Sequence, residues 1–177
     1  MHRIFLGLAI TDGTLLGVTF GLGFAATGAV RGPGSWYGIH FLLGLLSSVV
    51  TLLVHSIVYT YFLGTARWVK EVAEVYKLPA WLHLQALKNK RRVFPFVLWG
   101  MLSLGAASWL GAGADRFGWP LWAHTALSAA AMAFNLAAFA LEYTVIVAQA
   151  RLLLEVKAQA DRLREAQLAA RAAVADL

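Results

Sequence analysis

Two histidines, His40 and His124, stand a few residues inside aromatic positions at the starts of long apolar stretches. His40 is four residues past Trp36, and His124 is five past Trp119. Neutral imidazoles from two different helices can ligate one metal, each through a single ring nitrogen. A second candidate joins an acid and a base. Asp12 and His55 each lie within an apolar run, and an unpaired ionisable group in hydrocarbon is costly, so such groups pair or line a pathway. The chemistry open to them is proton transfer, hydrogen bonding to a carbonyl, or mutual neutralisation. Asn135, Ser47, Ser48 and Thr51 read as interhelical hydrogen bonds, with Tyr59, Tyr61 and Glu142 closer to the far side.

The elements that must position these residues are membrane spans. The chain has 177 residues, 60% of them hydrophobic and 14% charged, a balance that belongs to the membrane class. It contains no cysteine, which excludes disulfides, thiol redox chemistry, iron–sulfur clusters and covalently attached c-type haem. Four spans are expected, at Ile4–Thr27, Tyr37–Gly64, Phe94–Ala112 and from Trp119-Pro120 to Ala150. Each approaches or exceeds the roughly 20 residues a bilayer crossing needs. Gly13, Gly17 and Gly21 repeat every four residues on the first, and Gly100, Gly105 and Gly111 mark the third; small faces let a backbone or a flat cofactor come close. Gly28–Ser35 and Gly113–Gly118 read as turns.

The second span's helical pattern runs on toward Pro79, and Pro79–Arg92 reads as a separate short amphipathic helix. The fold class expected is all-α: a four-span transmembrane bundle over 1–150, with a basic cytoplasmic loop at 65–93. The fourth helix then extends into a cytoplasmic amphipathic helix at 151–177. No Gly or Pro occurs from Leu121 to Leu177. A three/four-spaced seam of Leu153, Val156, Ala160, Leu163, Gln167, Ala170, Val174 and Leu177 has coiled-coil spacing. It can pair with a copy of itself, with the Arg67–Tyr76 extension, or with another subunit.

The net charge is +6, but its placement beside the spans indicates topology and contact with membrane lipids rather than nucleic acid. Seven Lys and Arg lie between spans two and three, five in the C-terminal tail and one at the N-terminus; Arg31 and Arg116 stand alone in the other two turns. The positive-inside rule then puts both termini and the middle segment in the cytoplasm, as in a bacterial inner-membrane protein. On that orientation His40 and His124 share a level near the outer face. Asp12 and His55 share a deeper one, with His55 roughly 22 Å along the helix from His40.

Histidines on helices two and four, with repeated glycines on one and three, resemble the four-helix core of the membrane cytochromes b. The resemblance is one of arrangement and covers roughly Ile4–Ala150. It implies a b-type haem ligated by His40 and His124, with Arg31 and Arg116 near its propionates. It departs from the pattern at the inner level, where the fourth-helix position matching His55 in depth is near Phe139, which cannot ligate iron, so one haem is the most that fits. Three functions follow as expectations: an electron-transfer subunit, a non-catalytic accessory or assembly subunit, and a homo-oligomeric proton or ion pathway. No phosphate loop, HExxH or nucleophile elbow occurs in the chain, and His83 has no ligand partner close in sequence.

Overall fold

A computed structural model describes residues 1–29, 31–32 and 34–175. Four helices carry them: α1 (His2–Ala26), α2 (Trp36–Tyr76), α3 (Ala80–Phe117) and α4 (Leu121–Ala175). Each is long and apolar enough to cross a membrane, as in a multi-pass membrane protein. Their ends follow from local chemistry. Ser35 caps α2 by accepting a hydrogen bond from the Gly38 amide at 3.1 Å. Lys77 closes α2 in the left-handed conformation at φ 51°, the Leu78 amide donates back to the Ala73 carbonyl, and Pro79 prevents continuation. At the end of α3, Gly118 takes φ +68° without a Cβ penalty, and Pro120 precedes α4.

The middle segment differs from the expected loop with a separate short helix. Residues 65–93 are helical except for the turn at 77–79. α3 runs without a break from Ala80 through Pro95. Proline there removes only the rung to the Arg91 carbonyl, on an exposed turn. The glycine-rich segment from Gly113 is likewise helical as far as Phe117.

The helices form a ring in chain order. α1 and α3 each pack on α2 and α4, α2 meets α4 across the short diagonal, and α1 and α3 do not touch among the described residues. From Ala131 to Val156 a row of buried positions on α4 (Ala131, Asn135, Ala138, Glu142, Val145, Gln149, Leu152, Val156) alternates by four and three, with Phe139 and Ile146 buried beside it, so the heptad seam extends back through the bundle, entering it at Leu152 where Leu153 was expected. α1 spans about 37 Å, and beyond its N-terminal end α2, α3 and α4 continue as a three-helix unit around Val69, Leu82, Ala86, Leu152 and Val156. The seam therefore pairs with the α2 extension as far as Ala160. Residues 161–174 are exposed, and Leu177 lies outside the described residues.

Candidate functional site

The two outer histidines are held alike. The His40 Nδ1 lies 3.0 Å from the Thr19 carbonyl of α1, and the His124 Nδ1 lies 3.0 Å from the Ala107 carbonyl of α3. A carbonyl only accepts, so Nδ1 carries the proton and the Nε2 lone pair is left free in the neutral ring. Neither Nε2 hydrogen-bonds a described residue. Each carbonyl is reached past the residue four further along its helix, and that residue is a glycine in both hairpins. A Cβ on Gly23 would come to 3.2 Å from the His40 ring, and one on Gly111 to 2.8 Å from the His124 ring. Bare glycine exposes the carbonyl's second lone pair to the incoming imidazole.

The two ring centres are 6.3 Å apart, with the planes at 70°. Two metal–nitrogen bonds of about 2 Å, plus the short step from nitrogen to ring centre on each side, span roughly 6 Å. The expected small faces do not line this space: Gly17, Gly21 and Gly105 are exposed, two residues and so roughly 200° round the helix from the buried Thr19 and Ala107, and the glycines against the imidazoles are Gly23 and Gly111. Beyond Leu16, the buried hydrophobic side chains toward the histidine end are Ala107 and Ala131 among the described residues, while the large core side chains cluster in the other half around Phe5, Phe62 and Ile146. No group of three or more His, Cys, Asp or Glu among the described residues can hold a bare metal ion. Two imidazoles suit a metal whose remaining positions are filled by a macrocycle. Of the two expected propionate partners, Arg31 is engaged elsewhere. It pairs with Asp115 at 2.6 Å and lies over the Tyr37 ring. Arg116 forms no ion pair with a described residue.

The inner polar cluster has a different partner set from the one expected. Asp12 and His55 are both fully buried, but they do not hydrogen-bond each other. Asp12 Oδ1 accepts from the Thr51 hydroxyl at 3.0 Å. His55 is held across the diagonal by α4, with Nδ1 2.9 Å from Glu142 Oε1 and Nε2 2.8 Å from Asn135 Oδ1. The reason is the heptad: Asn135 and Glu142, seven residues apart, lie on one stripe facing α2 and reach both sides of the ring. The Asn135 Nδ2 faces the Ala131 and Gly100 carbonyls and the Ser103 hydroxyl, so Oδ1 accepts and His55 Nε2 carries a proton. One further proton lies between Nδ1 and Glu142, on either the ring or the acid. Gly100 makes room for this: a Cβ there would collide with His55 Nε2 and Asn135. Asp12 Oδ2 and Glu142 Oε2 have no hydrogen-bond partner among the described residues. The cluster can store or pass a proton.

The remaining buried polar groups close bonds between helices: Thr19 with Ser47 at 2.8 Å, and Asn89 to Gln149 to Thr65 at 2.9 and 3.1 Å. Ser48 meets Ser108 at 3.0 Å on an exposed face. Between Glu142 and Gln149 the core is filled by the buried Val58, Phe62, Val145 and Ile146. That apolar layer interrupts a polar route through a single copy. Sequence reasoning named Glu142 only as a polar residue nearer the far side and missed its pairing with His55, for which the seven-residue spacing of Asn135, Glu142 and Gln149 was the available signal; it missed the two helix carbonyls altogether. No protein-family model matches this chain, and no curated protein or solved structure matches it.

Proposed function

We propose that this chain is a membrane electron-transfer subunit carrying one b-type haem between His40 and His124, near the outer face of a bacterial inner membrane. The observation that carries the reading is the imidazole pair: ring centres 6.3 Å apart, each with Nδ1 committed to a helix carbonyl. A haem bound there supplies one-electron redox chemistry. The protein's own residues do the rest. The Thr19 and Ala107 carbonyls fix the tautomer that leaves Nε2 free. Arg116, which forms no ion pair with a described residue, would be the cation available to a propionate. The distribution of Lys and Arg favours cytoplasmic termini.

The test is the absorption spectrum of the detergent-purified full chain, made with haem supplied. A Soret band is expected, lost in His40→Ala and in His124→Ala and retained in His83→Ala. A colourless wild-type protein rejects the reading. The exposed helix at 161–174 favours a second role, docking to another subunit or a second copy. In that role a colourless chain would co-purify with partners, and the association would be lost on truncation after Ala160.

A further inference from the structure

A cavity of about 610 Å³ opens between α2 and α3, at the level where both helices leave the apolar band. Its lining combines the apolar Leu63, Gly64 and Leu87 with the basic Arg67, Lys70, His83 and Lys90. None of the residues that ligate or surround the outer histidines belongs to it. We propose that this groove binds one anionic phospholipid, with the phosphate among the four basic side chains and an acyl chain along Leu63, Gly64 and Leu87.

Three features point to a phosphate ester on an apolar tail. Arg67 gives only its Nε to Glu71, at 2.7 Å. Its two terminal nitrogens make no hydrogen bond with a described residue, and this is the edge that grips phosphate bidentately. Lys70 is held loosely by Glu74 at 3.7 Å, and the Lys90 ammonium stands 5.6 Å over the Phe94 ring, so neither is locked in a close ion pair. The apolar part of the lining is also open, since a Cβ on Gly64 would meet nothing within 4 Å. Basic pockets between spans at the cytoplasmic surface take anionic headgroups, with each Lys or Arg near the surface contributing about 1 kcal/mol.

The experiment is native mass spectrometry of the full chain in detergent, titrated with phosphatidylglycerol or phosphatidylcholine. Wild type should retain one phosphatidylglycerol preferentially. Lys70→Ser with Lys90→Ser should weaken that retention about 30-fold. Arg91→Ala with Arg92→Ala removes the same charge at the same level outside the groove, and should weaken it only a few-fold. Gly64→Leu fills the apolar part with charge unchanged and should also weaken it. The proposal is overturned if phosphatidylcholine is retained equally, if the Arg91 and Arg92 pair costs as much as the lysines, or if free glycerol phosphate at equal concentration displaces the lipid. A melting temperature within a few degrees of wild type shows that the lysine variant is folded.

Discussion

Replacing Gly111 by alanine should weaken haem binding while leaving the fold as stable as before. The added Cβ would lie 2.8 Å from His124 Cε1 and 3.1 Å from its Nδ1. Carbon contacts settle at about 3.5 Å or more, so the ring must retreat by roughly 0.7 Å. The Nδ1 bond to Ala107 is already 3.0 Å long, and that movement takes it past the useful range of about 3.2 Å. Losing the bond costs about 0.5–1.5 kcal/mol, and an off-rotamer ring costs a similar amount. Together they predict haem affinity roughly 5- to 150-fold lower. Alanine meanwhile favours the helix by about 0.8–1 kcal/mol over glycine, which offsets the strain in the haem-free chain. Gly23→Ala meets His40 at 3.2 Å and should lose only a few-fold. Gly7→Ala meets nothing within 4 Å at the other end of α1 and should lose nothing. The assay is haem titration into the detergent-solubilised apoprotein, followed at the Soret band beside a thermal melt. If Gly111→Ala titrates like wild type, or Gly7→Ala is equally impaired, the cradle argument is wrong.

Glu142→Leu strands His55 in the core and should cost about 3 kcal/mol, whereas His55→Leu with Glu142→Leu should cost less than the sum of the two single changes; unfolding in mixed micelles measures this, and additive losses would exclude a coupled pair. Gly100→Ala drives a Cβ into His55 and Asn135 and should destabilise by about 1–3 kcal/mol, against little change for Gly105→Ala, read by thermal melting. Amide exchange in the isolated chain should be slow through α4 to Ala160 and fast over 161–174; slow exchange along the whole tail would mean that a copy or partner covers it. A topology reporter fused after Ala160 should register the cytoplasmic side, and an external signal would reverse the assigned depths.

The amino-acid sequence by itself determined the spans and the level of each histidine. Hydropathy and length depend on composition alone, and a residue's depth follows from counting 1.5 Å steps from a turn. That is why His40 and His124 were legible as a pair at one end of the bundle. Azimuth was not legible. Whether His55 turns toward Asp12 on α1 or Glu142 on α4 depends on how each helix is rotated about its axis and on which diagonal closes. Those are set by packing of the whole ring, here by Gly100 and the α4 heptad. The same limit hid the role of Gly23 and Gly111, because a glycine that opens a carbonyl to a neighbour looks in sequence like any other small residue. Packing also decides the fate of Pro95: local propensity penalises proline within a helix, but the missing rung falls on an exposed turn, and α3 runs through it against α2 and α4. The partner of Arg31 likewise depended on the α1–α2 connection meeting the end of α3, since Asp115 is 84 residues away along the chain and lies in the last residues of that helix.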